Sequence, residues 1–171
     1  MLNEAVKHLK GELPEDVYTT TIDINIDAYI PNSYIANEYQ KLDIYKRIAA
    51  IETEEERDDM LEELIDRFGE PPKKVQQLLR IAQLKAEAHK GYIVSIEQKG
   101  ERYIFTMYEK AKVNAAAIPV LLQKYKGDLT FKVEENPYFV YQKRKKGKKE
   151  KDEQVIENVS AVIEDIISLA Q

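Results

Sequence analysis

Three charged side chains lie close together near the end of a predicted helix, in the stretch ELIDRFGEPP that covers residues 63–72. They are Glu63, Asp66 and Arg67. A carboxylate and a guanidinium four positions apart on a helix are neighbours, and such a pair stabilises the helix by about 0.3–0.5 kcal/mol. The same groups also form ion pairs and hydrogen bonds with partner surfaces. The residues alone leave both interpretations open, an ordinary pair within the helix or a binding surface.

The helix that carries these charges has clear signals at both ends. Thr53 is followed three residues later by Glu56, which is the capping-box pattern that satisfies open backbone N–H groups. Gly69 can adopt the left-handed conformation that closes a helix, and Pro71-Pro72 prevents its continuation. The sequence therefore predicts a helix from Thr53 to Phe68.

The apolar and charged residues of this helix fall on different faces. At about 100° per residue, four apolar side chains share about a third of the circle, which predicts the face that packs on the core. They are Leu61, Leu64, Ile65 and Phe68. Glu63, Asp66 and Arg67 fall together on the opposite side, with Asp59 beside them. We therefore expect one exposed patch of mixed charge.

The residues that catalysis needs are scarce. The two histidines, His8 and His89, are far apart in sequence, and each lies on a predicted helix, where a surface or packing role is expected. Asp23 and Asp27 share one face of a predicted strand, and a solvated face explains them. Neither a metal-ligand spacing nor a glycine-rich phosphate loop occurs in the sequence. The sequence predicts that this chain is not an enzyme and holds no cofactor.

A second candidate site is the basic segment KRKKGKKEK, residues 143–151, which has seven basic residues and one acidic residue. The net charge of the whole chain is −5, so the remainder is strongly acidic and should repel nucleic acid. Basic side chains bind phosphates by releasing counterions, but this segment has no aromatic residue to stack on a base. The candidate phosphate contacts are Lys143, Arg144, Lys145, Lys146, Lys148 and Lys149. A solvated loop and a nucleic-acid-binding module both stay open, and a steep salt dependence of duplex DNA binding would favour the module.

The composition of the 171-residue chain is that of a globular domain, with 43% apolar and 33% charged residues. The absence of cysteine excludes disulfides and fits a reducing, cytoplasmic compartment. No apolar run approaches the roughly 20 residues of a membrane-spanning helix. Charged residues interrupt the first ten positions, so we expect no signal peptide there. These features predict a cytoplasmic protein with no membrane partner.

The hydrophobic pattern predicts helices first and then mainly strands. A helix end is expected at residues 2–10, a linker at 12–18, and a half-buried strand within 19–31, where isoleucines alternate with polar residues. Helices are expected at 37–51, 53–68 and 72–90, a hairpin at 92–107, a short helix at 115–125, strands at 129–133 and 138–141, and a final helix at 152–170. The predicted fold class is α+β, an N-terminal helical half followed by a small antiparallel sheet flanked by helices.

Three short motifs give the chain a family resemblance. They are YIP at residues 29–31, IYKRIA at 44–49, and ELIDRFG at 63–69 with prolines shortly after. On these motifs the chain resembles the C-terminal domain of bacterial transcription-repair coupling factors, closely over residues 20–96 and more loosely beyond. The resemblance implies that residues 13–171 form the C-terminal regulatory domain of such a factor. It also implies that residues 1–12 end a helical segment behind the translocase motor.

The resemblance further implies how such a domain works. Coupling factors are ATP-driven DNA translocases of the bacterial cytoplasm that push stalled RNA polymerase off damaged DNA and then recruit the excision-repair protein UvrA. Their motor domains bind ATP and Mg, whereas this chain is implied to need no cofactor of its own. An N-terminal domain similar to UvrB binds UvrA, and the C-terminal domain is implied to hold that surface shut in the resting protein. The contact is implied to use Glu63, Asp66 and Arg67.

Overall fold

The computed structural model describes residues 18–143 and 149–170. The predicted helix end at 2–10, most of the linker at 12–18 and the expected domain boundary near residue 12 lie outside the described residues. Residues 144–148 of the basic segment also lie outside them.

The described residues contain five α-helices and five strands. The helices are α1 (Glu38–Ala49), α2 (Glu54–Phe68), α3 (Lys73–Lys90), α4 (Ile118–Lys124) and α5 (Asp152–Ile167), and a 3-10 turn at Ala115–Ala117 precedes α4. The strands are β1 (Thr21–Asp23), β2 (Ile93–Lys99), β3 (Arg102–Met107), β4 (Leu129–Lys132) and β5 (Tyr138–Tyr141). None of these helices has the length and apolar character needed to cross a membrane.

The strands form one sheet in the order β1-β2-β3-β5-β4. The pairs β2–β3, β3–β5 and β5–β4 are antiparallel, as predicted. The strand β1 pairs parallel to β2, with Ile22 opposite Ile96, so the sheet as a whole is mixed. A parallel pair needs a long crossover, and α1, α2 and α3 supply it between β1 and β2. The α+β class is confirmed, with helices both before and after the hairpins of the sheet.

The strand predicted within residues 19–31 pairs over three residues only. The Ile26 N–H donates to the Ile24 carbonyl at 2.9 Å, and this tight turn takes the chain away from β2. The Asn25 N–H donates instead to the Gln98 side chain at 2.8 Å. The predicted alternation nevertheless persists as burial, because the isoleucines are half-buried against the core of the sheet and the polar residues between them are exposed.

Two clusters of buried side chains form the hydrophobic core, and α3 belongs to both. In the helical half, Val75 and Leu79 of α3 pack with buried residues of α1 and α2. Further along α3, Leu84 and Ala88 pack with the sheet and α5. The helical half and the sheet are therefore joined by one continuous helix with an apolar face toward each.

The ends of α2 follow the local sequence signals. The Glu56 N–H donates to Thr53 Oγ1 at 3.1 Å, and the Glu56 carboxylate accepts from the Glu52 N–H at 2.8 Å. The carboxylate therefore satisfies the N–H one residue before the N-cap. At the other end, the Gly69 N–H donates to the Ile65 carbonyl at 3.0 Å, and the Gly69 backbone has φ 86°.

The core-facing side of α2 is rotated from the predicted one. Ile65, which was expected in the core, is 39% exposed, and Met60 is buried with Leu64. The buried side chains of α2, Met60 and Leu64, pack in one cluster with residues of both α1 and α3. The buried face of α2 is therefore the one that contacts these two helices. A helical wheel shows which face of one helix is apolar, but it does not show which residues of that face the neighbouring helices cover.

Replacing Gly69 with alanine is expected to lower the free energy of unfolding by about 1–3 kcal/mol, because its backbone conformation is almost confined to glycine. In the described part of the chain, no atom beyond the adjoining residues lies within 4 Å of an added Cβ, so the loss would come from backbone strain and not from a clash. Urea unfolding followed by circular dichroism measures the change. Glu70→Ala, at the exposed next position, is the matched control, and equal losses in both variants would contradict this account.

Candidate contact site

Glu63 lies between two arginine side chains on the surface of the helical half. Arg47 of α1 donates from both terminal nitrogens, with Nη2 2.5 Å from Glu63 Oε1 and Nη1 bonded to Oε2. Arg67, one turn further along α2, donates from Nη1 to Glu63 Oε2 at 3.1 Å. The pair expected within the helix is present, and an arginine from a second helix extends it. We call Arg47, Glu63 and Arg67 the Arg–Glu–Arg cluster.

The two arginines change the acidity of the carboxylate between them. The hydrogen bonds from Arg47, and secondarily the one from Arg67, lower the pKa of Glu63 to about 2. The same bond to Glu63 raises the pKa of Arg47. The side chains of Arg47, Glu63 and Arg67 are 42%, 34% and 40% exposed, so water screens their attraction and the cluster adds little to folding stability. The main effect of the cluster is to fix where these three side chains lie.

Asp66 differs from the other charged residues of the motif. Its side chain is exposed, and within residues 18–143 and 149–170 it makes no hydrogen bond or ion pair. An ionised carboxylate accepts hydrogen bonds at both oxygens, so Asp66 keeps its full capacity for a partner. The predicted patch therefore has two parts, a cluster with fixed partners and a free carboxylate next to it.

The last turn of α2 is held in place by aromatic residues. The Tyr34 hydroxyl donates to the Gly69 carbonyl at 2.7 Å and lies 3.2 Å from the Leu64 carbonyl. The rings of Tyr34 and Phe68 pack with their centroids 5.9 Å apart. The Arg67 guanidinium lies over the Phe68 ring, 4.9 Å from its centroid. These contacts limit the movement of the turn that carries Asp66 and Arg67.

A depression of about 320 Å³ lies beside the Arg–Glu–Arg cluster, between the end of α1 and the first turns of α2. Its lining is mainly charged and includes two of the cluster residues; it consists of Arg47, Ala50, Ile51, Glu56, Asp59, Met60 and Glu63. Small-molecule sites are usually lined by apolar and aromatic side chains. The lining of this depression is therefore not that of a typical small-molecule site.

The other sequence candidates that the structure describes do not line the depression beside the Arg–Glu–Arg cluster. Lys143 of the basic segment pairs with Glu150 at 3.1 Å, and Lys149 is exposed. The remaining candidate phosphate contacts, Arg144, Lys145, Lys146 and Lys148, lie outside the described residues, as does His8. His89 packs 4.4 Å from the Tyr18 ring, and its Nδ1 is 3.1 Å from Thr20 Oγ1.

The acidic residues bear on two kinds of chemistry, acid–base catalysis by Asp23 and Asp27 and the binding of a metal ion. Asp23 and Asp27 are both exposed, as expected, but only Asp23 belongs to a strand, because β1 ends there and Asp27 lies beyond the turn that follows. In the part of the chain that the structure describes, no group of three or more His, Cys, Asp or Glu side chains could hold a metal ion.

Arg47 is the residue of the site that the sequence did not reveal. It precedes Glu63 by 16 residues and lies on a different helix, so no local spacing relates the two. The available signal was its place in the IYKRIA motif, as a charged residue directly before the buried Ile48. That position predicts that Arg47 lies at the edge of the core, but it does not predict which helix packs beside Arg47.

The fold is that of a known α+β domain. The structure is similar to one described as the crystal structure of the C-terminal domain of transcription-repair coupling factor, with a TM-score of 0.68. The similarity covers 89% of this chain and 94% of that one, at 23% sequence identity. At that identity the likeness establishes the fold alone.

Sequence comparison establishes the family. The TRCF domain matches residues 24–118, and this chain belongs to that domain family. Its relatives include the transcription-repair-coupling factor of Bacillus subtilis (strain 168), 38% identical over 112 residues and 65% of this chain. The transcription-repair-coupling factor of Staphylococcus aureus (strain USA300) is 40% identical over 116 residues and 67% of this chain. This chain spans about a tenth of the length of either relative.

Acidification is expected to break the Arg–Glu–Arg cluster by protonating Glu63. The folded-state pKa is near 2 and the ordinary value is 4.5, so the stabilising contribution is complete above about pH 4.5 and is lost as the pH falls toward 2. Carbon-detected NMR of the side-chain carboxyl should give a Glu63 midpoint near 2. Glu63→Gln assigns the signal and removes this titration, whereas a Glu63 midpoint near 4.5 would show that the cluster does not form.

Proposed function

We propose that this chain is an autoinhibitory domain of a transcription-repair coupling factor. In the whole protein it would dock on the N-terminal UvrB-like domain and mask the UvrA-binding surface until the protein engages stalled RNA polymerase in transcription-coupled nucleotide excision repair. The observation that carries the proposal is the surface of α2, where Asp66, which has no hydrogen-bond or ion-pair partner among the described residues, lies next to the Arg–Glu–Arg cluster. All four residues lie inside the segment that matches the TRCF domain. UvrA, RNA polymerase and DNA would be partners of the whole protein.

The chemistry of this surface suits a contact that must open. Exposed ion pairs gain little net free energy, because the loss of hydration offsets the attraction. Two domains of one polypeptide meet at an effective concentration in the range of about 1 mM, so even a weak polar contact stays mostly closed. A competing partner can then displace it without breaking a large apolar interface. The mainly charged surface around α2 has the properties that such a contact needs.

The observations favour this function over nucleic-acid binding by residues 143–151. Lys143 is already paired with Glu150, which reduces the positive charge that it offers to a phosphate. Asp66 and the Arg–Glu–Arg cluster, in contrast, form a surface shared by α1 and α2, and backbone and side-chain hydrogen bonds cap both ends of α2.

Removing a docking charge should expose the UvrA-binding surface of the whole coupling factor. Asp66→Ala and, separately, Arg67→Ala are each expected to strengthen UvrA binding by roughly fivefold or more, the usual lower size of a coupling between two sites. The measurement is a UvrA titration of the full-length protein by surface plasmon resonance.

The matched control is Asp58→Ala, which removes a carboxylate from the same helix. Asp58 pairs with Arg57 at 3.6 Å and lines a different groove from the one beside Glu63. This variant should bind UvrA as the wild type does. If Asp66→Ala and Arg67→Ala fold normally by circular dichroism and also bind UvrA as the wild type does, the proposed masking function is wrong.

A further inference from the structure

We propose that Arg47 of α1 is a further residue of the docking surface, and that it positions the Glu63 carboxylate that the partner domain meets. The inference rests on the proposed function. It extends the surface from the ELIDRFG motif on α2 to a second helix, and it assigns Arg47 a positioning role through Glu63.

The geometry of the two arginines separates their roles. Arg47 donates to both oxygens of Glu63, whereas Arg67 reaches Oε2 only. Two parallel hydrogen bonds between a planar guanidinium and a planar carboxylate fix the plane of the carboxylate. A single bond from Arg67 would leave that plane free to rotate. Arg47 is therefore the residue that sets the orientation of Glu63.

The backbone on both sides of this contact is held by the same core. Arg47 directly precedes Ile48, and Glu63 directly precedes Leu64; both apolar side chains are buried in the core of the helical half. The separation of the two charged residues is thus set by packing underneath them. The contact needs little reordering of the backbone when a partner arrives, and such preorganisation favours binding.

Arg47 also sets the charge of the surface. Among the four residues Arg47, Glu63, Asp66 and Arg67, the two arginines balance the two carboxylates, whereas Glu56 and Asp59 of the adjoining depression add negative charge. Without Arg47, the surface has one positive charge fewer. A guanidinium has five N–H donors, and Arg47 uses two of them on Glu63. Arg47 also lines the depression that contains Asp59, where a side chain of the partner domain would be received.

A second arginine–glutamate pair of the chain shows what a purely structural role would look like. Arg80 of α3 donates to Glu157 of α5 at 2.8 Å, and this pair also joins two helices at the surface. It lines a different groove from the one beside Glu63. If Arg47 served only to join α1 and α2, replacing either arginine would affect the protein in the same way.

The test compares variants of the full-length coupling factor by UvrA titration. Arg47→Ala is expected to strengthen UvrA binding by roughly fivefold or more, as Asp66→Ala does. Arg47→Lys should lie between wild type and Arg47→Ala, because an ammonium group keeps the charge but cannot make the two parallel bonds. Arg80→Ala should bind UvrA as the wild type does.

A second measurement tests positioning within this chain. In Arg47→Ala, the carboxyl pKa of Glu63, measured by NMR, should rise from about 2 toward its ordinary value, while circular dichroism shows an unchanged fold. The Arg80→Ala variant should leave the Glu63 titration unchanged. An unaltered Glu63 titration in Arg47→Ala would overturn the positioning role.

The outcomes distinguish this inference from the function on which it rests. If Asp66→Ala strengthens UvrA binding but Arg47→Ala matches Arg80→Ala, Arg47 is not part of the docking surface and the proposed function stands. If neither Asp66→Ala nor Arg47→Ala strengthens UvrA binding, the proposed function fails and the inference fails with it. Stronger binding in both, with no change in Arg80→Ala, supports both.

Discussion

The helix α3 packs in both clusters of the hydrophobic core, and the placement of the other elements depends on it. Val75 and Leu79 hold α1 and α2 at one end, and Leu84 and Ala88 hold the sheet and α5 at the other. These side chains are buried almost completely, and close packing on both sides leaves a continuous helix little freedom to bend. Ion pairs from Lys73 to Glu153 and from Arg80 to Glu157 lie along the same contact between α3 and α5.

The core and the candidate docking surface use different interactions, and each suits its task. Apolar burial under α1 and α2 sets the positions of Arg47 and Glu63, because Ile48 and Leu64 beside them are in the core. The charged groups above that core interact in water, where they contribute orientation and specificity more than affinity. A domain built this way can keep its own fold while a contact on its surface opens and closes.

Much of the fold could be predicted from the sequence, because several of its signals are local. Thr53, Glu56 and Gly69 mark the ends of α2 through hydrogen bonds and backbone preferences that involve neighbouring residues only. The alternating isoleucines after Thr21 predicted the side of the chain that packs on the sheet. The parallel pairing of β1 with β2 could not be predicted in this way, since it joins segments separated by the three helices of the crossover.

The candidate site shows the same division between local and long-range information. The pair of Glu63 and Arg67 followed from their spacing on one helix, and the structure contains it. The bond from Arg47 depends on how α1 packs against α2, and so do the burial of Met60 and the exposure of Ile65. A sequence pattern reports which face of a helix is apolar, but the identity of the neighbouring helix is a property of the whole fold.

We propose that this domain masks a UvrA-binding surface elsewhere in the coupling factor. The most direct measurement is the amount of UvrA captured by the full-length protein with and without the residues that correspond to 13–171. If the domain masks that surface, the intact protein captures UvrA weakly and the shortened protein captures it strongly. Equal capture by the two proteins would contradict the proposal.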